Sequence, residues 1–131
     1  MEAKEVQEKV DELLKSSIMH VGYWWGGMST GRAGYLIDEN WEVYSYMHYF
    51  HIPENKKDFC INYFKKENVE AKNLKKKLDD YFEENINGKD FPEISMFDAS
   101  YIVKTKDVFI RNYTEIYKDI EKIIKEEIKK N

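Results

Sequence analysis

One cysteine, Cys60, in 131 residues leaves no internal disulfide to form. A reducing compartment is the simple consequence. No apolar run approaches the roughly 18 residues a membrane-crossing helix needs. The N-terminal "MEAKEVQEKVDELLKSS" carries charges where a signal peptide has its apolar stretch. Together these absences predict a cytoplasmic protein without membrane contact. Basic excess is missing too: the formal net charge is -4. That argues against a general nucleic-acid binder, which must neutralise phosphates with lysine and arginine. There is no C-x-x-C, H-E-x-x-H or G-x-S-x-G, so neither a paired-ligand zinc site nor a nucleophile elbow is signposted. We expect no cofactor, no metal and no catalytic set. Internal repeats, low-complexity tracts and linkers are also lacking.

What is present is a globular composition. Hydrophobic residues make up 42% and charged residues 35%, enough apolar material for one core. We read residues 1–131 as a single domain. Ala3, Val6, Val10, Leu13, Leu14 and Ile18 recur at helical spacing and predict a first helix over 3–18. Residues 18–51 then hold nine of the chain's twenty aromatics. Aromatic and β-branched residues suit pleated, half-buried surfaces, so strands are expected at about 19–26, 33–37 and 41–50. "DEN" at 38–40 is the turn between the last two. Phe59, Ile61 and Tyr63 alternate with polar neighbours and favour a fourth strand over 57–65, although Phe64 breaks the pattern and a short helix is the alternative. Leu74, Leu78, Tyr81, Phe82 and Ile86 mark a second helix over 69–86, stopped near Gly88, a residue free to take the left-handed conformation. "YIVKTKDVFIRN" reads as a hairpin, 100–105 with 108–112. Thr114 then caps a last helix reaching about 129, with an isoleucine-rich stripe. The expectation is an α+β fold in the order α-β-β-β-β-α-β-β-α. An antiparallel sheet of five to six strands should carry three amphipathic helices on one face.

Residues 22–37, "GYWWGGMSTGRAGYLI", come close to a phosphate-binding loop. Gly26 and Gly31 have the right spacing, but Arg32 stands for the lysine and Ala33 for the magnesium-holding hydroxyl. A strand pattern follows, so no helix N-terminus faces a phosphate. The nucleotide reading is rejected in favour of a glycine-rich hairpin loop over 27–32. Ser29, Thr30 and Arg32 on that loop are candidate partner contacts, Arg32 supplying direction. Trp24 and Trp25 are adjacent, so in a strand they face opposite ways. One is core, and the other is a candidate anchor.

His20, His48 and His51, with Cys60 and Asp58, are the only conceivable metal set, and their spacing is wrong for one. In the strand 41–50, Trp41, Val43, Met47 and Tyr49 share one face, while Tyr44, Tyr46, His48 and Phe50 share the other. A one-sided sheet should be polar on its open face. Tyr44, Tyr46 and His48 therefore suggest a binding surface, unless a helix or a second copy covers them. The leading expectation is a protein-interaction module, such as a small acidic bacterial inhibitor or toxin-immunity protein with a protein partner. The first alternative is an enzyme or small-ligand receptor with His20, His48 and Tyr44 or Tyr46 in a pocket between sheet and helices. A homodimer formed through the last helix is the second.

Overall fold

The computed structural model describes residues 1–27, 29–96 and 98–129. Its elements are α1 (Ala3–Ser16), β1 (Met19–Trp25), β2 (Thr30–Ile37), β3 (Val43–His51), a 3-10 turn (Glu54–Lys56), β4 (Tyr63–Glu67), α2 (Ala71–Asn85), β5 (Ala99–Thr105), β6 (Phe109–Arg111) and α3 (Thr114–Glu127). The expected α+β order is the observed one. All neighbours in the six-stranded sheet are antiparallel, in the spatial order β4-β3-β2-β1-β5-β6.

Strand alternation divides the sheet into two faces. Met19, Val21, Ile37, Val43, Val103 and Ile110 line one face. Leu74 and Leu78 of α2 and Tyr117, Ile120 and Ile124 of α3 complete that core. The isoleucine stripe of α3 is thus largely taken up inside the molecule, where Ile120 and Ile124 are fully buried. The second face holds Leu36 and Tyr46, buried against Val6 and Val10 of α1. The expectation of three helices on one face is therefore corrected: α1 lies across the sheet from α2 and α3. Its apolar stripe needs a cover as much as theirs do, and the even positions of β3 provide it.

Several boundaries move for local reasons. Asp38 accepts from the backbone N–H groups of Asn40 and Glu42, both at 2.9 Å, which makes the expected turn. Trp41 takes φ +62° as the chain leaves that turn, so β3 begins at Val43 and Trp41 is no strand residue. The fourth strand covers 63–67 instead of 57–65. Lys56 and Phe59 close turns onto the Pro53 and Lys56 carbonyls, which holds the chain out of the ladder until Tyr63. Gly88 adopts φ +77° after α2, as its position suggested. Thr114 is not the cap of α3. Tyr113 occupies that position and makes no side-chain capping bond.

Candidate interaction surface

α1 packs over β3 and β4 and only borders β1 and β5 with its C-terminal turn, so that Trp24 of β1 and Phe109 of β6 stay exposed on the same face. Register places the side chains of that open half in three rows. Trp24 sits beside Ser100, Gly22 beside Ile102 and Arg111, and His20 beside Lys104 and Phe109. Trp24 is 50% exposed and Phe109 52%. Large apolar side chains exposed to this degree on one sheet face are the informative kind of exposure. Arg111 donates to Glu93 at 2.6 Å and to Ser100 Oγ at 3.2 Å, which ties the surface to the segment before β5.

Two grooves end the strip. One, of about 520 Å³, lies between Trp24, Phe50, Met96 and Arg111. The other, of about 580 Å³, runs between the C-terminal turn of α1 and the β5–β6 hairpin. Leu14, Ile102 and Phe109 give it apolar walls, and Lys15, Lys104 and Lys106 line it as cations. Among the described residues, no aspartate or glutamate lines it.

The border between the covered and open halves is polar. Arg32 donates from Nε to His48 Nδ1 at 3.0 Å and from Nη2 to Asp11 of α1 at 2.9 Å. Its guanidinium also lies 5.5 Å from the Phe50 ring centre. His20 Nε2 and the Tyr46 hydroxyl are 2.7 Å apart. Gly22 makes room for that pair. A Cβ there would stand 2.7 Å from His20 Nε2 and 2.8 Å from the Tyr46 oxygen. Burial, helped by Arg32 and Lys104, pulls the His20 pKa down to about 4. His48 is shifted down as well, by burial and then by Arg32. Burial pushes the Tyr46 phenol up.

These positions redistribute the residues expected to bind. Trp24 is the exposed tryptophan and stands on the open half. Trp25 points to the opposite face, where its ring lies 5.5 Å from both Tyr23 and Tyr49 and its Nε1 donates to Ser29 Oγ at 3.4 Å. Tyr46 and His48 are each 2% exposed beneath α1, so they offer a partner no area. Tyr44 stacks on Phe64 at 5.4 Å, on the β4 side of α1 and away from Trp24. The expected loop over 27–32 is also shorter: Thr30, Gly31 and Arg32 belong to β2, and Met28 lies outside the described residues. Arg32 is therefore a strut between sheet and helix and no free loop contact. The pocket reading fares differently. His20 and Tyr46 do meet, Tyr46 buried against α1 while His20 lines the groove of about 580 Å³ beside Lys104. Among the described residues, no three histidine, cysteine, aspartate or glutamate side chains converge on a metal position.

Ile102, Lys104, Lys106 and Phe109 were not singled out from the sequence. Their signal is the alternation in "YIVKTKDVFIR", where Ile102 and Lys104 fall on the face opposite Val103. No protein-family model matches the chain, no curated protein matches its sequence, and no solved structure matches it. Among the described residues, no helix is long and apolar enough to cross a membrane.

Proposed function

We propose that this chain is a protein-interaction module and that it docks its partner on the half of the sheet that α1 leaves open. The observation that carries the reading is the pair of half-exposed aromatics, Trp24 and Phe109, on one face of three neighbouring strands away from α1. Exposed aromatic anchors on a rigid sheet are the usual centres of binding energy. The rigidity comes from the ladder itself and from the Arg32 strut beside it. An inhibitor or immunity protein is a concrete form of this reading, since such a protein works by occupying a partner and needs no catalytic group.

The test is affinity capture from native extract with the full chain, run beside the Trp24→Ala/Phe109→Ala double variant. A protein recovered by the wild type and lost by the variant is the expected result. Equal recovery by both, or no specific recovery at several salt concentrations, removes the reading.

A further inference from the structure

We infer that the partner docks an acidic, apolar peptide segment on this open half-sheet, its large apolar residues on Trp24, Ile102 and Phe109 and its carboxylates against Lys15, Lys104 and Lys106. The inference rests on the interaction-module reading and adds the chemistry of the occupant. Charge complementarity is its first support. The chain as a whole carries a net charge of -4, yet among the described residues the groove beside α1 is lined by three lysines and no acid. Lys104 and Lys106 make no ion pair among the described residues. Among the described residues Lys15 pairs only with Glu12, at 3.5 Å and with both side chains at least 75% exposed. Such a pair is weak and easily exchanged for a better carboxylate. The cations are thus available and sit at the edges of an apolar floor, where a charge is desolvated least while still directing register.

Spacing is the second support. Trp24 and Phe109 are two strands and two rows apart, which puts their backbones about 16 Å from each other. Successive bases of a stacked single strand rise only about 3.4 Å. Two isolated aromatics at that separation do not form a base-stacking platform. An extended peptide covers the same distance in about five residues, with alternate side chains facing the sheet. Ile102 lies between the two anchors and continues the apolar track.

Random twelve-residue peptides displayed on phage, selected on the immobilised full chain, test this. A uniform twelve-residue deoxythymidine or uridine strand is titrated in parallel. The expected enrichment is of peptides joining aspartate or glutamate to large apolar residues. Their affinity should fall at least about tenfold in Lys104→Glu/Lys106→Glu and again in Phe109→Ala, with both variants melting like wild type. Peptides that lose binding in Phe109→Ala but show no acidic bias and survive the charge reversal would overturn the acidic occupant and leave the docking surface standing. No enrichment, or enrichment indifferent to both variants, overturns occupant and surface together. Oligonucleotide binding tighter than the best peptide and sensitive to Lys104→Glu/Lys106→Glu overturns the peptide in favour of nucleic acid.

Discussion

Arg32 donates its Nε–H to His48 Nδ1 across the β2–β3 ladder, and that bond requires a neutral histidine. An imidazolium would carry a proton on Nδ1 and turn the acceptor into a second donor. The same guanidinium reaches Asp11, so one side chain joins two strands and α1. Its position is thus both a fastening and a proton-sensitive one.

Replacing Arg32 with alanine should cost about 1–3 kcal/mol, because His48 Nδ1 is left without a donor in a buried site. Urea unfolding of Arg32→Ala measures it. Arg32→Lys retains a charge for Asp11 but not the fork that meets both partners, and should fall between wild type and alanine. Midpoints unchanged in both variants would mean that the apolar face of α1, Val6 and Val10 with Leu13 and Leu14, holds it without Arg32.

Acid should weaken the fold through the two histidines. The pKa of His20 is about 4 in the fold, and that of His48 is also below its ordinary value of 6.5. The unfolded chain therefore binds more protons below pH 6.5, and stability falls with pH through that window. Arg32 and Lys104 face His20, while Arg32 opposes and Asp11 favours protonation of His48. From the His20 shift alone, about 2 kcal/mol should be lost between pH 7.5 and 5. Melting curves across that range check the slope, and His20→Gln should flatten it. A slope unchanged by this substitution would assign the acid sensitivity elsewhere.

Gly22→Ala tests the room left for the histidine–tyrosine pair. The added carbon would press on His20 Nε2 and the Tyr46 oxygen at distances side chains do not tolerate. Overpacking of this kind costs about 1–3 kcal/mol. The variant should also raise the exchange of the Tyr46 hydroxyl proton, observable by nuclear magnetic resonance. Wild-type stability with an intact hydroxyl signal would show that the pair shifts at no cost.

The sequence carried the element order because amphipathic period is a local property. Val6 to Leu14, Leu74 to Phe82 and Ile116 to Ile124 each mark a helix without reference to anything distant. Which face a helix covers is not local. Tyr46 and His48 read equally as a binding surface or as the bed of α1, and only the three-dimensional placement of α1 selects the second. Trp41 was misplaced for a different reason, because a tryptophan at positive φ has no signature in composition. Of the open half-sheet only the β1 row, Trp24 on one face with His20 and Gly22, was legible locally, because its other apolar members come from β5 and β6, about eighty residues further along the chain.

The two adjacent tryptophans should behave as opposites. Trp25 packs between Tyr23, tilted, and Tyr49, edge-on, and a Cβ on Gly31 would meet its ring at 2.6 Å, so that glycine is its seat. Removing it empties a packed aromatic site, and Trp25→Ala should cost about 3 kcal/mol, the lower end for a large aromatic since the ring is not fully buried. Trp24 is half exposed on the open face. Trp24→Ala should stay within about 0.5 kcal/mol of wild type, as surface substitutions do. Its effect belongs to binding, where loss of an aromatic anchor should weaken a captured partner at least about tenfold, or about 1.4 kcal/mol. Thermal denaturation and a partner titration on the same two variants separate the roles. If Trp24→Ala destabilises as much as Trp25→Ala, the strip around it is an ordinary packing surface and the docking site must be sought at the far groove beside Lys104. If Trp24→Ala is stable and binds as tightly as wild type, Phe109 and Ile102 carry the contact without it.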